Sequence, residues 1–190
     1  WHLTLDKPLV QLFKPDEGYI GVGLLGGDVR LLDATTGRTT FSSRVPGAHF
    51  VFDAVLAEGT LVVKYLGEQN TSAPPELAGL ELESGAVLWK RSALAPAMGA
   101  TPLRMIGGTL PTVVRNEFPR GGPREASQVC FINVRTGENV GTSVVVPFTD
   151  AMARFNGDLV VYPGRVLVGT THGAHAFSTE PLGPGTGNGM

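Results

Sequence analysis

Cysteine is almost absent from this sequence: Cys130 is the only one among 190 residues. A single thiol excludes an internal disulfide and any cysteine-based metal cluster. It lies in the apolar run QVCFINV, where a buried structural thiol rather than a nucleophile is expected. Charge is also sparse, at 17% of residues with a net charge of -2. That balance argues against a nucleic-acid partner, which calls for a basic excess on one face. No apolar run approaches the roughly 18 residues needed to cross a bilayer. No convincing amphipathic helix is present, since the best candidate, DAMARF, is too short. There is no initiator methionine and no signal peptide. An opening on Trp1 is read as a processed product or an excised piece, so missing targeting signals carry no weight.

Catalytic patterns are missing as well. No Gly-x-Ser-x-Gly and no Ser-His-Asp arrangement emerges. The glycine-rich GVGLLGG is not followed by the helical pattern that a dinucleotide fingerprint requires. THGAH sets His172 and His175 three apart, a spacing that sends strand side chains to opposite faces, with no third ligand nearby. The expectation there is a turn residue and a strand residue rather than a metal site. His49 in GAHFVFD is read as packing at a sheet edge. Asn70 in NTS is a glycosylation acceptor only in a eukaryotic secretory setting.

What the sequence has in quantity is turns and repetition. Glycine (26) and proline (14) make up about a fifth of the chain. Aligned on one glycine, LLDATTGRTTF (31–41), GLELESGAVLW (79–89) and FINVRTGENVG (131–141) share a frame. An apolar residue precedes Asp33, Glu81 or Asn133; after two intervening residues comes Thr or Ser, then Gly37, Gly85 or Gly137. Phe41 and Trp89 follow four residues on. The glycines are 48 and 52 apart, and a weaker fourth copy ends at Gly183. GYIGVGLLGGDVRLLDATTG from Gly18 also matches GRVLVGTTHGAHAFSTEPLG from Gly164, and EGTLVV at Glu58 echoes NGDLVV at Asn156.

A repeat of about 48 residues built from short β-branched strands and glycine turns has a physical reading. YIGVGLL, VRLLD, HFVFDAVLA, LVVKYL, VCFINV, TSVVV and RVLVGTT read as strands covered on both faces, because their alternation is loose. GGD, NGD, PGR and HG read as hairpin turns. The Asp, Glu or Asn that ends a strand accepts hydrogen bonds from amides of the following turn. The glycine supplies the left-handed conformation there, and the aromatic wedges between adjacent sheets. Radially repeated four-stranded sheets are a β-propeller. The expected fold is therefore all-β, with about four antiparallel blades at residues 8–45, 49–94, 100–146 and 149–178. Residues 1–6 are a candidate closing strand, the propeller runs over 1–183, and 184–190 form a flexible tail.

The pattern Ala-x-Asp-x-x-Thr-Gly-x-x-x-Trp resembles the blade-docking motif of quinoprotein-like propellers, the group named after pyrroloquinoline quinone. LLDATTGRTTF departs at its first residue and has Phe41 for Trp. GLELESGAVLW has Glu81 and Ser84, and FINVRTGENVG lacks the aromatic. The resemblance implies a propeller of seven or eight blades. It also implies a family that includes dehydrogenases, outer-membrane assembly lipoproteins and sensor domains without quinone. WHLTLD resembles the outer strand after a motif glycine, so two readings stand: it completes the last blade and closes a small ring, or the chain is part of a longer ring. A quinone dehydrogenase of this kind needs calcium, a catalytic Asp and often adjacent cysteines. No such motif can be matched here. The expectation is a non-catalytic module without a cofactor, periplasmic or extracellular by resemblance. Its partner is a protein or small ligand, bound through loops. A partial quinone dehydrogenase using pyrroloquinoline quinone and calcium is the alternative. The loops GEQNTSAPPELA and NEFPRGGPREAS interrupt the repeat at equivalent places, and long loops are disproportionately functional. The second supplies Arg115, Phe118, Arg120 and Arg124 as a candidate contact patch.

Overall fold

In a computed structural model of the protein, residues 1–67, 75–92, 103–105, 109–115, 127–140, 144–146, 155–162, 165–170 and 173–178 are described. The first two repeats each make a four-stranded antiparallel sheet, with strands hydrogen-bonded in chain order. The first contains β1 (Leu9–Phe13), β2 (Tyr19–Leu24), β3 (Asp28–Asp33) and β4 (Thr39–Arg44). The second contains β5 (Ala48–Ala57), β6 (Thr60–Gly67), β7 (Glu76–Glu81) and β8 (Val87–Ser92). Among the described residues the last two sheets have three strands each. These are β9 (Thr109–Arg115), β10 (Ser127–Asn133) and β11 (Val144–Val146), then β12 (Phe155–Tyr162), β13 (Arg165–Thr170) and β14 (Gly173–Ser178). The architecture is all-β and blade-like. Among the described residues no helix is long and apolar enough to cross a membrane.

The loose alternation of the strands follows from burial on both faces. One face of the first blade meets the second blade through Leu31, Phe41, Val51, Leu61, Val63 and Leu80. The far face of the second blade meets the third through Val55, Val62, Leu77, Trp89, Leu110 and Ile132. Each such side chain, taken fully out of water, contributes about 1.5–3 kcal/mol. The GVG of β2 has a packing cause. A Cβ on Gly21 would lie 1.9 Å from the Phe13 ring, and one on Gly23 would lie 2.0 Å from the Val51 carbonyl oxygen. Gly21 makes room for an aromatic ring of its own sheet, and Gly23 lets the second blade close on the first.

One turn expectation fails. NGD at Asn156–Asp158 does not reverse the chain but lies inside β12, where the register with β13 shifts between Phe155 and Leu159. Tyr162 pairs directly with Arg165, so the chain reverses between them. A Pro-Gly pair there is the stronger turn former, and the Asn-Gly is absorbed as an irregularity of the strand. DLVVY therefore belongs to the first strand of this sheet and RVLVGTT to the second. Residues 1–6 lie in no strand. Gly183 and the tail 184–190 lie outside the described residues.

Candidate binding surface

The three motif turns share one backbone. The amides of Gly37, Gly85 and Gly137 donate to the carbonyls of Asp33, Glu81 and Asn133, each at 2.8 Å. The amides of Asp33, Glu81 and Asn133 donate in return to Arg38, Ala86 and Glu138 at 2.8–2.9 Å. The glycines take φ of 71°, 74° and 72°, the left-handed region where a Cβ is strained. Side chains then differ. Asp33 Oδ1 accepts from the amides of Thr35 (3.1 Å) and Thr36 (2.7 Å) and from the Thr36 hydroxyl (2.8 Å). These bonds hold its carboxyl below the usual range, the Thr36 amide most of all. Asn133 Oδ1 accepts from Arg135 and Thr136 in the same way, at 2.9 and 3.1 Å. Glu81 is one methylene longer and takes the Ser84 hydroxyl through Oε2.

Trp89 joins the second blade to the third. Its indole Nε1 donates to the Val134 carbonyl at 2.8 Å, and a Cβ on Gly137 would lie 2.5 Å from the ring. Phe41 is buried at the previous joint, within the cluster that contains Leu80. The aromatic positions are therefore joints between blades. The motif carboxylates are held inside turns.

The loops that interrupt the repeat leave from one end of the sheets. Tyr65 pairs with Glu76 across the first, and Arg115 with Ser127 across the second, equivalent places in successive blades. Arg115 ends β9; Phe118, Arg120 and Arg124 lie outside the described residues. At this loop-bearing end the Tyr65 hydroxyl donates to Glu76 Oε2 at 2.5 Å. Burial and that carboxylate push the phenol's pKa well up.

The same end of the second blade holds a polar pair that the sequence reading missed. Lys64, 9% exposed, stands directly across from Asp53 in the register of β5 and β6. Its ammonium lies 5.2 Å from the centre of the Phe52 ring. Burial depresses the Lys64 pKa, and burial raises that of Asp53. Asp53 accepts from the Ala54 amide (2.9 Å) and the Leu103 amide (2.5 Å), which fastens the segment entering the third blade. The available signal was a lone charge inside each apolar run, LVVKYL and HFVFDAVLA.

At the opposite end, a cleft of about 830 Å³ lies between the motif turns of the second and third blades. Glu58, Glu81, Glu83 and Arg135 line it with Leu82 and Leu88. Glu58 closes the β5–β6 hairpin at φ 50°, an unusual conformation for a residue with a Cβ. Of the histidines, His49 packs 5.3 Å from the Phe50 ring and His172 lies outside the described residues. Cys130 is buried, and Asn70 lies outside the described residues.

Solved structures give the frame for this geometry. BamB from Moraxella catarrhalis is similar over 93% of this chain and 48% of its own, at 15% identity and a TM-score of 0.62. The computationally designed Ika4 protein is similar over 92% of this chain and 93% of its own, at 10% identity and a TM-score of 0.53. The chain has a β-propeller fold. This propeller spans about half the length of the Moraxella chain. A looser likeness, with a TM-score of 0.42, links it to a quinohemoprotein alcohol dehydrogenase of Pseudomonas putida at 17% identity over 72% of this chain and 20% of that chain. No family model matches the propeller's sequence, and no curated protein does.

Proposed function

We propose that this propeller is a non-catalytic binding module of a larger extracytoplasmic protein, contacting a protein or ligand through the loops at one end of its blades. The observation that carries the reading is the use of the repeat's polar residues. Asp33 and Asn133 are engaged by turn amides, and Glu81 by the Ser84 hydroxyl. The Trp89 indole NH is likewise engaged at a blade joint. Chemical variety is left to the loops between second and third strands, at whose base Arg115 stands. Arg120, Arg124 and Phe118 follow in sequence, a composition suited to an acidic partner. The extracytoplasmic setting rests on the family resemblance.

Two measurements test the proposal. Titration with pyrroloquinoline quinone and calcium, followed by absorbance, gives no saturable shift on this reading; a saturable shift with alcohol-dependent dye reduction would establish the dehydrogenase alternative. An immobilised poly-glutamate peptide probes the arginine loop. Binding is expected to weaken with salt and to be lost in the triple variant R115E/R120E/R124E. Equal binding by the variant would sink the loop assignment.

A further inference from the structure

Among the described residues, the joint between the second and third blades carries a surplus of positive charge at its loop-bearing end. Lys64 shares a strand face with Val62, which packs in the apolar contact between those blades. The lysine takes the next place in that row, toward the loop. Across the neighbouring strands it faces Leu77 on one side and Asp53 on the other. Its stem is buried, yet among the described residues its ammonium makes no hydrogen bond. No side-chain nitrogen fully shut off from water is left without a partner there, so Nζ itself reaches solvent. The Phe52 ring attracts the ammonium but offers it no acceptor.

Asp53 does not fill that role. Its two oxygens are taken by the Ala54 amide and the Leu103 amide. Among the described residues the closed ion pairs are Lys7 with Asp28 and Arg30 with Asp6, not Lys64 with Asp53. Arg104, exposed and next to Leu103, is a second cation whose field reaches the same carboxylate. The nearby Glu76 is engaged by Tyr65, which belongs to the opposite face of the sheet. Two cations therefore meet one carboxylate that is already bonded, and one positive charge stays uncompensated. Half-buried aromatic rings stand beside it: Phe52 meets Phe50 edge-on, with centroids 6.2 Å apart. A largely buried ammonium with unused donors is costly until an acceptor completes it.

We propose that this end of the joint seats a carboxylate of an acidic protein partner, with Lys64 as the anchor, Arg104 at the rim and the Phe50 and Phe52 rings as an apolar wall. The inference rests on the reading that this end of the blades contacts an acidic partner, and it names the group that such a contact would seat. One carboxylate balances the one surplus charge and accepts charge-assisted hydrogen bonds from the ammonium. Water is largely excluded from the lysine stem, so the attraction is stronger there than at a solvated arginine of the loop.

The test uses the full chain with its four lysines carbon-13 labelled at the ε position, titrated with a soluble poly-glutamate peptide and followed by nuclear magnetic resonance. The Lys64 signal is expected to move saturably. Its titration midpoint should rise in the complex, because a bound carboxylate favours the charged amine. The exposed Lys14 serves as the reference for unspecific attraction and should show neither change. Lys64→Gln should weaken binding about tenfold, and Arg104→Gln about threefold, with the far-UV dichroism of the parent. If Lys64→Gln does not fold, the signal of the parent decides alone. Peptide binding that leaves the Lys64 signal unmoved overturns this inference while the loop reading stands. Absence of binding overturns both. A Lys64 shift that persists in R115E/R120E/R124E supports the anchor and overturns the loop arginines as the contact.

Discussion

The joint between the first and second blades and the joint between the second and third solve one problem by different means. Between the second and third blades, the Trp89 indole is sandwiched: a Cβ on Gly79 of its own sheet or on Gly137 of the next blade would collide with it. Its NH is satisfied by Val134, and two residues on, Arg91 donates to the Gly137 carbonyl at 2.9 Å and to Asn139 at 2.8 Å. Between the first and second blades, Phe41 has no polar handle and is buried in the larger cluster with Leu31, Leu61 and Leu80. Two residues on, the Ser43 hydroxyl donates to the Gly85 carbonyl at 2.7 Å. At one joint an indole stacked on glycine meets the next turn's carbonyl; at the other the aromatic supplies volume, and a serine hydroxyl meets the turn carbonyl. The comparison teaches that the motif fixes a turn and a carbonyl acceptor, and leaves the means of docking to the neighbours.

The sharpest way to break the comparison is at the ring. Trp89→Ala should cost about 3–5 kcal/mol, with the Val134 carbonyl left unpaired, read as a fall in the denaturant midpoint. Trp89→Phe should lie between that variant and the parent, because it keeps most of the volume and loses the hydrogen bond. The glycines give the next largest difference. Gly85→Ala meets only Ser43 at 3.3 Å, so its cost is about 1–2 kcal/mol for the left-handed backbone. Gly137→Ala adds a collision with the Trp89 ring and should cost about 2–4 kcal/mol. Equal costs at the two positions would show that stacking on Gly137 contributes nothing.

How far this was legible in the sequence depends on the kind of interaction. The frame from Asp33 to Gly37 and its copies could be read because local hydrogen bonds and a positive φ demand particular residue types at fixed spacing. Glu81 fitted the frame, yet its use of the Ser84 hydroxyl followed from a chain length that spacing does not express. The packing of Trp1 against Gly37 joins residues far apart in sequence, so only the assembled blade exposes it. NGD misled because a local turn preference lost to pairing imposed from the next turn, by Tyr162 and Arg165. Lys64 and Asp53 were invisible for the opposite reason. Each looks like a stray charge in an apolar strand until the register sets them side by side.

That pair gives a smaller, pH-dependent effect. Lys64 has a folded pKa below its unfolded value of 10.5, because burial penalises its charge. Between the two values the unfolded chain holds more protons, so this group makes stability rise with pH toward 10.5. Thermal midpoints over that alkaline range should show the rise in the parent, and Lys64→Met should remove it. Taken alone, however, the change leaves the Asp53 carboxyl buried without its counter-charge, so the variant should be less stable than the parent near neutrality. Unchanged stability there would mean that the ammonium does not hold Asp53 in place.

The smallest effect separates the first motif turn from the third. Asp33 has a lowered pKa because turn amides and the Thr36 hydroxyl donate to its charged form. Its contribution is therefore complete above the unfolded value of 3.8 and is lost as pH falls through the lower folded value. Blade three makes the same turn with Asn133, whose amide oxygen accepts from Arg135 and Thr136 without titrating. Asp33→Asn should accordingly keep the turn and lower stability slightly at neutral pH, where a charged acceptor is the better one. It should also flatten the decline in thermal midpoint between about pH 4 and pH 2. An acid limb identical in parent and variant would mean that the solvent-exposed turn at Asp33 stays closed whether or not its carboxylate is charged, as the neutral Asn133 turn does.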